Sequence, residues 1–162
     1  MSEEEHDQIQ SALNRAFFFL KFRPRSKQEV NKYLNEKAEK NHWPPVVVEK
    51  TLQRLEELKF INDADFLNWY VGQRSARRAK SERAIRSELY RFGIDKELIE
   101  DYFQTHPLPE EELALQALSP RWLRLQHLDS QTQLKKAASF LGRRGFSFSI
   151  IQKTIAKLRQ KR

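Results

Sequence analysis

The sequence predicts an all-α protein: three tandem three-helix repeats forming an elongated, curved array. Three observations predict it. One phrase recurs three times, a core residue with Leu four positions on, then a turn, a large apolar residue, and a helix with apolar positions beyond it. The middle copy reads Ile85, Leu89, Gly93, Ile94, Ile99 and Phe103, and the last reads Ala137, Leu141, Gly145, Phe146, Ile151 and Ile155. The first copy reads Val30, Leu34, Trp43, Val48 and Leu52, with four extra residues in the turn and no glycine there. Bulky apolar residues also recur at helical spacing throughout. Finally, four glycines in 162 residues are too few for the turns of a sandwich or barrel. The expected repeats are residues 1–58, 59–106 and 107–162.

The first helix is expected from about Glu4 to Phe22, with Ile9, Leu13, Ala16 and Leu20 on one face, and Pro24 ends it. Ser26-Lys27-Gln28-Glu29 is a capping box that opens a helix with Val30, Tyr33 and Leu34 inward. After the Asn41-His42-Trp43 turn, Pro44 or Pro45 starts a helix that turns Val47, Val48, Leu52, Leu55 and Leu58 inward. Asn62 caps the next helix, whose apolar stripe is Phe66, Leu67, Trp69, Tyr70 and Val71. Ser81 caps the fifth helix, Gly93 ends it in the left-handed conformation, and Asp95 caps the sixth. His106-Pro107-Leu108-Pro109 reads as a linker, and Glu110, Glu111 and Glu112 favour a helix N-terminus directly after it. Asp129 or Ser130 caps the eighth helix, Gly145 closes it, and Ser147 caps the last.

Composition narrows the chemistry. Cysteine is absent, which removes disulfides, thiolate metal sites and cysteine nucleophiles. The acidic, polar start from Ser2 to Gln10 lacks the basic and apolar regions of a signal peptide, and no apolar run suits a bilayer. A soluble, monomeric, cytoplasmic protein with no membrane association is the expectation. His6, His42, His106 and His127 lie far apart, and the acidic pairs Glu56-Glu57 and Glu111-Glu112 point about 100° apart on a helix. No phosphate-cradling or dinucleotide-binding loop is present. No catalytic residue, cofactor site or metal site is therefore expected, and the chain is read as a binding protein, not an enzyme.

The net charge of +8 carries more information. Between Gln73 and Arg91 stand Arg74, Arg77, Arg78, Lys80, Arg83, Arg86 and Arg91 against only Glu82 and Glu88. Arg74, Arg77 and Arg78 are expected on one face at the end of a helix. From Lys135 to Arg162 there are nine cations, among them Lys136, Arg143, Arg144, Lys153 and Lys157, and no acid. The bland reading is decoration of helix C-termini. One-sided enrichment suits an anionic partner better. The candidate contact residues are Arg74, Arg77, Arg78, Lys80, Arg83, Arg86, Arg143, Arg144, Lys153 and Lys157. Phe17, Phe18 and Phe19 are consecutive and cannot all face one core, so at least one packs on a neighbouring element or a partner. Trp43, Trp69, Tyr70 and Phe146 fit core positions.

Three phrases carry a family resemblance. Phe60-Ile61-Asn62-Asp63-Ala64-Asp65-Phe66 is similar to the hydrophobic, Asp-Asp, Phe helix start of the RecX family of RecA regulators. The stretch from Arg83 to Ile94 resembles that family's R-I-x-x-E-L-x-x-K-G-I, and the stretch from Phe140 to Phe146 resembles its L-x-R-R-G-F. The match spans about residues 12 to 158. The chain departs from the family at Ala79-Lys80-Ser81, where glycines are usual, and at Phe92, where Lys or Gln is common. The resemblance implies a non-enzymatic modulator lying in the groove of the RecA filament on DNA. It further implies interference with ATP hydrolysis, LexA-type coprotease action and strand exchange, hence with DNA repair, recombination and the SOS response. Implied partners are RecA and, weakly and without sequence preference, single-stranded and double-stranded DNA. Two alternatives stay open, a sequence-independent DNA-binding protein and a helical-repeat scaffold for another protein. Asp95, Glu97, Glu100 and Asp101 disfavour the segment 95–104 as a major-groove recognition helix.

Overall fold

A computed structural model describes residues 1–161, so Arg162 of the C-terminal cation set lies outside the described residues. The described residues form nine α-helices and no strand. They are α1 (Glu3–Leu20), α2 (Lys27–Asn41), α3 (Pro45–Glu57), α4 (Asp63–Ala76), α5 (Glu82–Arg91), α6 (Lys96–Thr105), α7 (Glu110–Leu125), α8 (Ser130–Arg143) and α9 (Phe148–Gln160).

Local chemistry places the boundaries. Ser26 accepts the Glu29 N–H while the Glu29 carboxylate accepts the Ser26 N–H, the complete capping box. Pro44 stands at the N-cap of α3 with Pro45 at the first helical position, where a missing N–H costs nothing. Asn62, Ser81, Asp129 and Ser147 each accept the N–H three residues on, as their side chains predict. His42 ends α2 with φ 56°, taking the left-handed role that glycine plays in the other two copies.

Contacts divide the chain into two compact units. The first holds Met1–Trp69 with Arg91–Asp95, and the second holds Tyr70–Tyr90 with the chain from Lys96 onward. The first unit packs α1, α2 and α3 around Ala16, Val30, Leu34, Val47 and Leu55, and Ile61 joins that cluster. The second packs α7, α8 and α9 around Leu118, Trp122, Ala137, Leu141, Phe146 and Ile155, with Ala79 added from the segment before α5. In the central helices Phe66, Leu67, Ile85, Leu89, Ile99 and Phe103 are buried. Every apolar position of the repeated phrase is buried except Trp43, which is half-buried.

Some expected core positions differ. Leu58 is 43% exposed, because α3 stops at Glu57 and Lys59 (φ 60°) turns the chain away. Trp43 and Trp69 keep one side open, and the guanidiniums of Arg15 and Arg23 lie 5.8 and 5.9 Å from their ring centroids.

The same junction is built twice. In the first unit the Ser26 hydroxyl donates to the Phe92 carbonyl (2.7 Å), and the Lys27 N–H donates to the Asp63 carboxylate (2.9 Å). In the second, the Ser81 N–H donates to the Arg144 carbonyl (3.0 Å), and the Glu82 N–H donates to the Glu110 carboxylate (2.8 Å). Thus the N-terminus of the second helix in one repeat is closed by two groups from the next repeat. One is the carbonyl just before a left-handed glycine, and the other is the acid that opens the next repeat's first helix. Ser26 and Ser81 are buried.

Gly93 (φ 77°) and Gly145 (φ 84°) make these approaches possible. A Cβ on Gly145 would stand 2.4 Å from Ser81 Oγ and 2.7 Å from Ala84 Cβ. Gly145→Ala therefore combines left-handed strain with overlap and should lower stability by at least about 2 kcal/mol. Gly142, helical with nothing within 4 Å of its would-be Cβ, should tolerate Gly142→Ala with a gain of up to about 1 kcal/mol. Chemical denaturation of the two variants measures the opposite signs.

Candidate functional site

Every candidate contact residue is a cation, so the geometry has to separate cations held by the fold from cations left over. Glu88, on α5, is the hub of the first group. It ion-pairs with Lys80, sits 3.3 Å from Arg74 Nε, and accepts the Tyr70 hydroxyl proton, while Arg74 Nε also donates to the Tyr70 oxygen at 3.1 Å. Burial alone would raise the Glu88 carboxyl pKa. Hydrogen bonds from Lys80 and Tyr70, with the charges of Lys80 and Arg74, outweigh it and hold the group below its ordinary value. Burial and the bond to Glu88 raise the Tyr70 phenol. Arg86 is likewise fastened, to Glu82 at 2.9 Å and Glu100 at 2.6 Å, with its guanidinium 4.8 Å from the Phe103 ring centroid.

The expected shared face of Arg74, Arg77 and Arg78 is not formed. Helix α4 ends at Ala76, the Arg77 N–H closes the last turn on the Gln73 carbonyl, and Arg78 takes φ 52°. Arg74 faces inward to Tyr70 and Glu88, whereas Arg77 and Arg78 leave the helix and are exposed. The C-terminal stretch that lacks acids in sequence does not lack them in space. Lys153 and Lys157 reach Glu111 of α7, at 2.9 and 3.5 Å. The Lys153 hydrogen bond and charge hold the Glu111 carboxyl below its usual value.

A second group has no such partner. Arg144 donates to the Ala79 carbonyl at 3.1 Å, and its guanidinium lies 4.6 Å from the Phe140 ring centroid. Arg121, from α7, lies 4.8 Å from the same centroid. Burial, then the positive charges of Arg78 and Arg121, push the Arg144 guanidinium below its usual pKa, although it remains charged at neutral pH. Alongside, Arg121, Lys135, Lys136, Ser139, Thr132 and Arg143 line an open groove of about 560 Å³. Among the described residues none of Arg78, Arg121, Lys135, Lys136, Arg143 and Arg144 has a carboxylate within ion-pair distance. Arg77 and Arg83, both exposed, also have none.

Sequence reasoning placed Arg78, Arg143 and Arg144 among the contacts but missed Arg121. Arg121 stands outside both basic runs, beside Pro120, and only the packing of α7 against α8 brings it to Phe140. A helical wheel of α7 read against the aromatic of the neighbouring repeat phrase is the one signal that could have found it. Among the described residues, no group of three or more His, Asp or Glu side chains is placed to hold a metal ion, and no helix is long and apolar enough to cross a membrane.

Arg74→Glu should set a carboxylate against Glu88 and lower stability by about 1–3 kcal/mol, whereas Arg77→Glu should stay within about 0.5 kcal/mol. The Glu88 folded pKa lies below its unfolded value, so its contribution is present above about 4.5 and is lost as pH falls through the folded value. The stability gap between wild type and Glu88→Gln should therefore be full at neutral pH and close in acid. Thermal melts across that range check it, and a gap that persists unchanged in acid would contradict the network.

Comparison with known proteins places this architecture. Residues 62–102 match the RecX second three-helix domain, and residues 109–155 match the RecX third three-helix domain, together more than half of the chain. The regulatory protein RecX of Bacillus subtilis (strain 168) is 30% identical over 146 residues, covering 90% of this chain and 54% of its own. That of Deinococcus radiodurans is 32% identical over 126 residues, covering 77% of this chain and 59% of its own. The chain spans about half the length of the curated relatives it matches. The crystal structure of RecX from Lactobacillus salivarius superposes with a TM-score of 0.73 at 23% identity, over 96% of this chain and 99% of that one, a likeness of fold.

Proposed function

The chain belongs to the RecX family, and from that premise we propose that it is a regulator of a RecA-type recombinase that acts on the recombinase–DNA filament. Its relatives bear the name regulatory protein RecX. In this reading the protein carries no chemistry of its own and binds in the filament groove. There it hinders ATP hydrolysis, coprotease action and strand exchange by occupying neighbouring subunits, as a monomer in the cytoplasm.

The observation that carries the reading is the unneutralised group of Arg78, Arg121 and Arg144 beside Lys135, Lys136 and Arg143. Arg121 and Arg144 lie against Phe140, Arg144 also donates to the Ala79 carbonyl, and the charges of Arg78 and Arg121 repel that of Arg144, with no carboxylate within ion-pair distance among the described residues. Such repulsion costs folding free energy and is relieved when an anion arrives. Phosphodiester oxygens and acidic surface side chains, both plentiful on a recombinase–DNA filament, are the anions that fit. Glu97, Glu100 and Asp101 lie on α6, directly after Asp95, and disfavour major-groove reading, so backbone and surface contacts are favoured over sequence readout. Arg74, Lys80 and Arg86 serve mainly to position α4, α5 and α6, and Arg77, Arg83, Lys153 and Lys157 add peripheral charge.

The double variant Arg78→Glu, Arg121→Glu tests it. Both side chains are exposed, so melting should shift little. Wild-type protein should suppress the ATPase of the cognate recombinase on single-stranded DNA at less than one molecule per recombinase monomer. The variant should do so only at ~10-fold or higher concentration, and the salt dependence of filament binding should flatten by about one to two log units per log unit of salt. No suppression by the wild type at molar excess would defeat the regulatory reading. Equal suppression by the variant would defeat the arginine group.

A further inference from the structure

The three consecutive phenylalanines are only partly absorbed by packing. Phe17 packs on Phe60 (centroids 4.8 Å apart), and Phe19 stacks on Tyr33 at 4.3 Å with an interplanar angle of 3°. Phe18 pairs edge-on with Phe22 at 5.3 Å, and both rings stay open, at 62% and 67% exposure. Phe60 is 52% exposed despite its contact with Phe17. Solitary exposed apolar residues are ordinary on a protein surface. Here three large rings gather where the end of α1 meets the turn after α3, all inside the first compact unit.

Phe22 and Phe60 line an open groove of about 520 Å³. Its charged lining is Lys21, Arg23, Arg25 and Lys59 against the single carboxylate of Asp65. Arg23 and Arg25 are engaged by Glu29, and Arg25 lies 4.0 Å over the Phe19 ring. Lys21 and Lys59 are exposed, and neither has a carboxylate within ion-pair distance among the described residues. Lys59 stands in a left-handed turn, with its N–H bonded to the Glu56 carbonyl at 2.9 Å.

We propose that Phe18, Phe22 and Phe60, flanked by Lys21 and Lys59, form a stacking platform for the unpaired bases of a single-stranded nucleic acid. Open rings offer faces to any base, and free ammonium groups beside them meet the strand's phosphates, the two elements that sequence-tolerant single-strand binding requires. A duplex keeps its bases stacked inside and gains only the charge term. The excess of cations around the rings favours a polyanion over an apolar protein surface as occupant. This site is separate from the arginine group of the second unit and does not rest on the regulatory reading, because oligo(dT) binding is measured on the chain alone.

The experiment measures fluorescence anisotropy of labelled oligo(dT) and of a duplex of equal length with the full chain alone. Phe18→Ala with Phe22→Ala should weaken oligo(dT) binding by roughly tenfold or more, since each stacked base contributes about that factor, and should change duplex binding less than about twofold. Phe22→Trp, which restores a larger ring, should keep or tighten oligo(dT) binding. Unchanged melting of the double alanine variant separates the effect from folding. The proposal is overturned if the wild type binds the single strand no better than the duplex, or if the alanine variant binds oligo(dT) like the wild type. It is equally overturned if that variant loses only affinity for the recombinase protein, which would make the rings a protein-docking surface.

Discussion

The capped N-terminus of the second helix in a repeat is the point on which the rest of this structure depends. A helix start leaves backbone N–H groups without partners, and burying one unpaired is expensive. Ser26 and Ser81 each satisfy one such group locally. The following repeat adds a carboxylate that accepts the Lys27 or Glu82 N–H, and a carbonyl preceding a left-handed glycine that accepts the Ser26 hydroxyl in one junction and the Ser81 N–H in the other. Neighbouring repeats are thus joined by polar groups whose loss would strand buried partners, not by apolar area alone. The same construction fixes the segment at residues 79–81. Ala79 fills the apolar cluster of α7 to α9, and Ser81 supplies the cap.

Charge in this protein is divided by what each cation meets. Arg74, Lys80 and Arg86 face carboxylates at partly shielded positions and bind α4, α5 and α6 to one another. Lys153 and Lys157 share Glu111 at an exposed site, where an ion pair contributes little to stability. Arg121 and Arg144 meet the face of Phe140, and the charges of Arg78 and Arg121 bear on Arg144. An aromatic ring can orient guanidiniums without neutralising them, which keeps their charge available for an incoming anion. That difference, and not the density of basic residues along the chain, separates a structural cation from a recognition cation.

Aromatic residues divide in a similar way. Tyr70 and Phe146 are fully used by the interior, Phe17 and Phe19 close against neighbouring rings, and Phe18, Phe22 and Phe60 remain open. Adjacent positions on a helix point about 100° apart, so a run of three rings must leave one outside whatever the fold. Which ring that is, and what stands beside it, follows from where the chain turns at Lys21 and Lys59.

Helix number, helix ends and most of the core were legible in the amino-acid sequence, because they follow from local rules. The 3.6-residue spacing of Val30, Leu34, Ile85, Leu89, Ala137 and Leu141, the capping residues Ser26, Asn62, Ser81, Asp129 and Ser147, and the glycines at 93 and 145 act over a few neighbouring residues. The repeat and the three family-like phrases were legible for the same reason. The candidate site was legible only as a charge excess. Nothing local tells that Glu88 claims Arg74 and Lys80, that Glu111 claims Lys153 and Lys157 from more than forty residues away, or that Arg121 reaches Phe140. The orphan amides at residues 27 and 82 likewise find their carboxylates across a repeat boundary. Pairing between distant side chains is decided by helix packing, since coulombic and hydrogen-bond energies depend on final separation and burial, quantities that exist only once the helices have docked.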